Sequence, residues 1–185
     1  KEIGISNDVK VLLSVGELNK NKNHEIIIRV LSKLTNKNFI YLICGNGELK
    51  EYLKNLAKEL GVSDKVKFLG YRKDVLEIYK IADLFLFPSK REGLPCSLIE
   101  AMACGLPCVS FNCPYGPSEI LTDNENGFLI PINDIYTLAD KVCILIEKEE
   151  MRKKMGHKAY IAAMQYSPIK VMKKWEKLFD DLKKK

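Results

Sequence analysis

The sequence predicts an α/β domain built on a doubly wound parallel sheet. Short apolar runs alternate along the chain with segments in which apolar residues recur at helical spacing, which indicates strand–helix–strand units. The runs are almost continuously apolar, as expected of strands that helices bury on both faces. Because ligands of such sheets bind beyond the carboxyl ends of the strands, residues that directly follow a predicted strand are the first candidates for function.

Six strands are predicted, each ended by turn residues or by the helix that follows. They cover residues 10–15, 39–44, 66–69, 84–87, 108–111 and 128–130. The first helix begins near Asn23, and the second is closed by Gly61, since glycine readily adopts the left-handed conformation of a helix C-terminus. The tail, about 168–183, is amphipathic and predicts a last helix. Its apolar positions are Val171, Met172, Trp175, Leu178, Phe179 and Leu182.

Composition is that of an ordinary soluble globular protein. The 185 residues, of 21.1 kDa, suit one domain with a sizeable core, and 46% of them are hydrophobic. No apolar run reaches the roughly 18 residues that cross a bilayer, and no signal peptide opens the chain. The first residue is Lys1 rather than Met, so we expect a fragment. We expect a cytoplasmic location, with the inner face of the membrane as a second one.

Six cysteines are present, and none forms a C-x-x-C pair. A zinc site from Cys104, Cys108 and Cys113 would lack the paired close spacing of structural zinc sites. We therefore expect small buried thiols in a reducing cytosol, and no bound metal.

The net charge of +6 comes from 30 basic and 24 acidic residues, with much of the basic excess late in the chain. Three interpretations are open: a nucleic-acid patch, a weak attraction to anionic membrane surfaces, or the solvated polar side of amphipathic helices. The last is favoured. We expect no nucleic-acid partner, while a weak membrane-surface association stays open.

The most informative segment, residues 88–107, places Glu92 and Glu100 eight positions apart around a turn. The apolar run before it is stopped by Pro88, and Pro95 suits the first turn of a helix, where no backbone donor is missed. The predicted unit is strand, loop and helix. Helical spacing turns Glu100 away from four residues that we expect to face the core: Leu98, Ile99, Met102 and Ala103.

A nucleotide-sugar would satisfy the groups that this unit brings together. Helix N-termini bind phosphate through free backbone N–H groups, and carboxylates accept hydrogen bonds from sugar hydroxyls. The alternative is plainer: Glu92 caps the helix and Glu100 is a solvated helix residue.

The two glutamates match the E-x7-E motif of retaining glycosyltransferases of the GT-B fold, family 4 in particular. Further motifs follow in the same order over nearly the whole chain, at residues 15–24, 44–49, 66–70, 82–85, 116–120 and 126–131. The chain therefore resembles the C-terminal, donor-binding domain of such an enzyme. That resemblance implies a Rossmann-like doubly wound parallel sheet, the C-terminal half of a GT-B glycosyltransferase, in one domain over residues 1–185.

The resemblance also implies a reaction, in which a hexose moves from a nucleoside diphosphate sugar to an acceptor hydroxyl with its anomeric configuration retained. The context would be surface polysaccharide or glycolipid synthesis. The nucleotide-sugar would be the donor substrate, with no separate cofactor or metal. An N-terminal acceptor domain would be the missing partner, with the C-terminal helix packed toward it, so we expect the isolated domain to be inactive. A non-catalytic nucleotide-binding module and a same-fold nucleotide-sugar epimerase remain alternatives.

The resemblance gives the core motif specific roles. Glu92 would be the catalytic residue, contacting hydroxyls of the transferred sugar and stabilising positive charge at the anomeric carbon. Glu100 would accept hydrogen bonds from the ribose hydroxyls. The loop between them would meet sugar and phosphate through Gly93, Leu94, Pro95, Cys96 and Ser97.

The donor diphosphate would lie against Gly16 and Lys22, which follow the first strand. The family commonly carries an arginine directly after this glycine, and here that position holds Glu17. Lys22 matches the family's lysine. With one cation fewer, full-strength diphosphate binding would need Lys20 or Arg91 as a substitute.

Further donor-binding positions are expected at other strand ends. Backbone groups of Tyr71 and Arg72 would contact the edge of the nucleotide base. Gly45 would make a tight turn that exposes backbone near the ligand; a dinucleotide-binding motif would need a further glycine where Lys50 stands. Glu119 would be either a helix cap or a donor contact.

We predict that Glu100→Ala weakens nucleotide binding about ten- to a hundredfold, because a charge-assisted hydrogen bond contributes roughly 1.5–3 kcal/mol. Calorimetric titration with UDP, GDP and ADP measures the change. Unchanged affinity would remove Glu100 from the site.

Overall fold

The structure is a computed structural model, and it describes residues 6, 8–34 and 36–183. Six strands are found within that part of the chain: β1 Lys10–Val15, β2 Phe39–Cys44, β3 Val66–Gly70, β4 Leu84–Phe87, β5 Cys108–Phe111 and β6 Gly127–Ile130. They form one parallel sheet in the order β3-β2-β1-β4-β5-β6. The predicted α/β class and parallel sheet are therefore confirmed.

Helices connect the strands and cover the sheet. Those of the described residues are α1 His24–Leu31, α2 Lys50–Glu59, α3 Val75–Ile81, α4 Cys96–Ala103, α5 Pro117–Ile120, α6 Ile135–Glu147, α7 Glu149–Ala163 and α8 Pro168–Lys183. Local chemistry sets several of their ends. Asp134 caps α6 by accepting from the Thr137 N–H at 3.0 Å, and Gly61 follows α2 with a φ of 69°.

Two apolar cores lie on opposite faces of the sheet. Along β1, Leu12 belongs to one core, whereas Val11 and Leu13 belong to the other, as the alternation of side chains along a strand requires. All four residues of β4 are buried. This burial explains why the strands are almost continuously apolar in sequence.

The strand order places β1 and β4 side by side at the centre, although 68 residues separate Val15 from Leu84 in the chain. From β1 the chain continues to β2 and β3 at one edge of the sheet, and from β4 it continues to β5 and β6 at the other edge. This is the topological switch point of an open α/β sheet, where a crevice forms beyond the carboxyl ends of the strands. The loops that follow β1 and β4 therefore meet at the place where a ligand is expected.

The prediction that Ala103 of α4 faces the core is wrong. Ala103 is exposed, and Ala101 is buried in its place beside Leu98 and Met102. A core-facing stripe that starts at Leu98 continues at positions three and four residues later, which are Ala101 and Met102. Ile99 packs against the core only in part.

The C-terminal helix α8 has the amphipathic pattern that the sequence predicted, but no residue of it is buried. Its large apolar side chains are exposed: Ile169, Met172, Trp175, Leu178, Phe179 and Leu182. Over the residues that the structure describes, no helix combines the length and apolar character needed to span a membrane.

Candidate functional site

A cleft of about 780 Å³ opens beyond the carboxyl ends of β1, β2 and β3. Turns at residues 15–17, 44–46 and 71–75 line it. Four predicted donor-binding residues thus border one cleft: Gly16, Gly45, Tyr71 and Arg72.

The close approach of two glycines shapes this cleft. Gly45 has a φ of 143°, and a Cβ atom there would lie 1.9 Å from the carbonyl oxygen of Gly16. The Gly16 N–H donates to the Cys44 carbonyl at 2.9 Å, and the Gly45 N–H to the Gly70 carbonyl at 2.8 Å. Backbone rather than side chain therefore forms this wall, which leaves room for a ligand.

At the outer rim, Tyr71 and Arg72 have different surroundings. The Tyr71 side chain is 75% exposed. Arg72 donates two hydrogen bonds to Asp74, from Nε at 2.8 Å and from Nη2 at 2.6 Å, and these bonds lower the pKa of the Asp74 carboxyl. The guanidinium is thus fixed at the rim, while the Tyr71 ring is open to stacking.

Two predicted residues from distant parts of the sequence are in direct contact. Lys22 Nζ lies 2.6 Å from Glu92 Oε1, and the side chains are 23% and 9% exposed. The loops that carry them are tied together, because the Lys90 N–H donates to the Asn21 carbonyl and Asn21 Nδ2 to the Arg91 carbonyl. This ion pair lies beyond β1 and β4, at the switch point.

Glu100 is held by a residue that the sequence did not single out. It lies on the exposed side of α4, and its Oε2 accepts a hydrogen bond of 3.1 Å from the Tyr79 hydroxyl. Tyr79 is fully buried, and burial, followed by the charge of Glu100, raises the pKa of this phenol. The hydroxyl therefore keeps its proton and acts as a donor. A tyrosine on the buried face of α3 reads as a core residue in sequence.

The segment before α4 packs against the turn that begins α5. A Cβ atom on Gly116, whose φ is 86°, would lie 2.7 Å from Pro95 Cδ and 3.0 Å from the Gly93 carbonyl oxygen. The Gly116 N–H donates to Glu119 Oε1 at 3.5 Å, and the Glu119 N–H donates to the Gly116 carbonyl at 3.0 Å. These contacts are the ones expected of a helix cap, and the role of Glu119 as a donor contact stays a prediction.

The start of α4 differs from the prediction by one residue. Pro95 is the N-cap rather than part of the first turn, and the helix begins at Cys96. Pro95 still contributes to the first turn, since its carbonyl accepts from the Leu98 N–H at 3.0 Å. Cys96 is exposed, Ser97 is half-buried and Leu94 is 63% exposed, whereas Pro95 is buried, so only part of this segment faces solvent.

Glu17, at the position where the resemblance implies an arginine, lines the large cleft. Its Oε2 accepts from Asn19 Nδ2 at 2.8 Å. Lys20 does not line that cleft: it borders a separate one of about 220 Å³, together with Lys90. Neither Lys20 nor Arg91, the two substitutes expected from the sequence, lines the cleft beside Glu17.

His24 is a core residue. It is 3% exposed, and its Nδ1 lies 3.4 Å from the Tyr41 hydroxyl, which donates to Ser14 Oγ at 2.8 Å. Ser14 in turn donates to the Leu86 carbonyl at 2.6 Å. Burial lowers the pKa of His24 to about 4, so the imidazole is neutral near pH 7.

The cysteines are free thiols, but the expectation that they are buried is wrong for half of them, because Cys104 and Cys143 are partly exposed and Cys96 is exposed. Within the described ranges, no three or more His, Cys, Asp or Glu side chains cluster closely enough to hold a metal ion.

Comparison with known proteins agrees with this geometry. Residues 1–162 match the model of the family described as glycosyl transferases group 1. The chain therefore belongs to that family, which confirms the predicted resemblance at this level, together with the Rossmann-like fold of a GT-B half.

Individual relatives show how much of such a protein the chain represents. It is 37% identical over 169 residues to an uncharacterized glycosyltransferase of Haemophilus influenzae, covering 90% of this chain and 48% of that protein. It is 32% identical over 162 residues to the N-acetylgalactosamine-N,N'-diacetylbacillosaminyl-diphospho-undecaprenol 4-alpha-N-acetylgalactosaminyltransferase of Campylobacter jejuni, covering 88% and 44%. The chain thus spans about half the length of these curated relatives.

A solved structure has the same fold over nearly the whole chain. A mutant of S. aureus TarM, in complex with Fondaparinux, alpha-GlcNAc-glycerol and UDP, matches with a TM-score of 0.87 and 28% identity. The match covers 93% of this chain and 36% of that one.

The neutral state of His24 predicts a pH dependence of stability. Its pKa is about 4 in the folded protein, against 6.5 as the ordinary value, so as the pH falls below 6.5 the unfolded chain takes up a proton first. The stability that neutral His24 contributes is therefore complete above pH 6.5. It is lost as the pH falls toward 4, which lowers the free energy of unfolding by about 3 kcal/mol.

Urea denaturation at pH 7 and pH 4.5 measures this loss. His24→Gln should flatten the decline, whereas His157→Gln, at an exposed helix position, is the matched control and should keep it. Equal declines in both variants would contradict the assignment.

Proposed function

We propose that this chain is the donor-binding half of a retaining glycosyltransferase that moves a hexose from a nucleoside diphosphate sugar to an acceptor hydroxyl. The observation that carries the proposal is the 2.6 Å contact between Lys22 and Glu92 at the switch point. It pairs a cation suited to phosphate with a carboxylate suited to sugar hydroxyls. The Lys22 side chain also lies against Gly16 of the cleft wall, since a Cβ atom on that glycine would be 3.5 Å from Lys22 Cδ. Membership of the glycosyl transferases group 1 family supports the class of reaction.

The nucleotide would lie across the large cleft, with its base at Tyr71 and Arg72 on the rim and its ribose at Glu100. Its diphosphate would lie near Gly16 and take Lys22 as a donor of charge-assisted hydrogen bonds. The UDP in the S. aureus TarM complex supports a nucleotide as ligand. Glu17 adds a negative charge near the expected diphosphate, so we expect weaker donor binding than an arginine there would give.

Transfer of the sugar would depend on positioning and on charge stabilisation. When the diphosphate takes Lys22, Glu92 becomes available to accept hydrogen bonds from the sugar. As the bond between the anomeric carbon and the diphosphate oxygen breaks, Glu92 stabilises positive charge at that carbon and Lys22 stabilises the leaving diphosphate. The bond to the acceptor oxygen then forms on the same face, and the acceptor proton leaves with the nucleoside diphosphate. The residues 93–97 would meet the sugar and the phosphates.

The acceptor would be bound by an N-terminal domain. The chain spans about half of its relatives' length, and helix α8 exposes a stripe of large apolar side chains that a partner domain would cover. Lysines on the same helix would give a weak additional attraction to an anionic membrane surface, at the cytoplasmic face. The lipid-linked substrate in the name of the C. jejuni relative supports a role in glycolipid or surface polysaccharide synthesis.

The first test compares two lysines that are two residues apart. We expect Lys22→Met to weaken binding of UDP, GDP or ADP about ten- to a hundredfold, because a charge-assisted contact to the diphosphate is lost. Lys20→Met is the matched control, since Lys20 borders a separate small cleft whereas Lys22 lies against Gly16 and pairs with Glu92, and it should change affinity less than about threefold. Calorimetry measures both, and circular dichroism checks folding, because the change at Lys22 leaves Glu92 unpaired. Equal effects at the two positions would argue against the proposed diphosphate site.

The second test asks whether the chain transfers sugar alone. We expect no turnover by the isolated chain with a nucleotide-sugar and an acceptor, and turnover once an N-terminal domain from a relative is joined to it. Product is measured by mass spectrometry. Robust turnover by the isolated chain would overturn the two-domain account. Nucleotide binding without activity in the joined protein would favour a non-catalytic module, and epimerised donor without acceptor would favour an epimerase.

A further inference from the structure

The buried hydroxyl of Tyr79 points at a residue of the proposed donor site. Tyr79 is fully buried on α3, and its hydroxyl lies 3.1 Å from Glu100 Oε2 and 3.2 Å from the Ser97 carbonyl oxygen. A phenol has one proton to donate, and the carboxylate is the stronger acceptor of the two because it is charged. One oxygen of Glu100 is therefore engaged from within the core.

The tyrosine ring is itself fixed. Its centroid lies 5.7 Å from that of Phe85, which stacks in turn on Phe87 at 6.2 Å. Both phenylalanines belong to β4, the strand that leads into the loop carrying Glu92. A ring packed in this way cannot swing its hydroxyl away from α4, so the direction of the donor is set by the sheet.

We infer that Tyr79 is a positioning residue, which holds the Glu100 carboxylate in the orientation that accepts the two ribose hydroxyls of the donor. The inference rests on the proposed function, because it concerns the same site. A glutamate on an exposed helix face samples several rotamers, and ordering it on binding costs entropy. Tyr79 removes part of that cost in advance, and leaves the second carboxylate oxygen to the ligand.

If Tyr79 had only a structural role, removal of its hydroxyl would have a different effect on nucleotide binding. If the hydroxyl only stabilised the packing of α3 against α4, its loss would affect every nucleotide ligand equally. If it acts through Glu100 on the ribose, its loss matters only when the ribose hydroxyls are present.

The experiment titrates Tyr79→Phe with the nucleoside diphosphate that binds best and with its 2′,3′-dideoxy form. We expect the change to weaken binding of the ribonucleotide about three- to tenfold, as for one lost hydrogen bond, and to leave binding of the dideoxy form unchanged. Tyr41→Phe is the matched control, since it removes another buried hydroxyl, one bonded to Ser14, and should leave both affinities unchanged. In a Glu100→Ala background the effect of Tyr79→Phe should disappear.

Equal losses for the two nucleotides, or no loss for either, would overturn the inference while leaving the donor site in place. Absence of binding of any nucleotide by the unaltered chain would overturn the proposed function, and this inference with it.

Discussion

The parallel pairing of β1 with β4 is the constraint on which the site depends. Leu12 pairs with Leu84 and Leu13 with Phe85, although these residues lie far apart in the chain. That register brings the ends of both strands to one edge of the sheet, so that their following loops can be tied together by backbone and side-chain hydrogen bonds. Lys22 meets Glu92 only because of this pairing. A buried hydrogen bond from the Ser14 hydroxyl to the Leu86 carbonyl joins the same two strands.

Close backbone packing gives the site its open shape. At two places a glycine with positive φ lies where a side chain would collide with neighbouring atoms: Gly45 against Gly16, and Gly116 against Pro95. Each contact joins two loops that follow different strands, and each replaces side-chain bulk with backbone polar groups. In the proposed function these are the surfaces that face the nucleotide and the sugar, so the demand for glycine has both a packing reason and a binding reason.

The two glutamates of the motif have different partners in the structure. Glu92 is nearly buried and paired with Lys22, whereas Glu100 is exposed and bound from beneath by Tyr79. A nearly buried carboxylate needs compensating partners. In our proposal the diphosphate takes Lys22 from Glu92, and the sugar hydroxyls and the positive charge at the anomeric carbon become the new partners of Glu92. The exposed carboxylate instead needs orientation, which a neutral buried phenol supplies. The different environments thus agree with different roles, one at the sugar and one at the ribose.

The sequence by itself determined the fold class, the strands and the residue types at the strand ends, because burial on both faces and helical spacing are local patterns. It also placed the two glutamates in a loop and a helix. Two predictions from the sequence were wrong: that Ala103 faces the core, and that Pro95 lies in the first turn of α4. The rotation of a helix about its axis and its first residue depend on the packing around it. Only the tertiary structure decided that Lys22 contacts Glu92 and that Tyr79 holds Glu100. Those contacts span 70 and 21 residues, and they exist because strand order and helix packing bring together positions that no local pattern links.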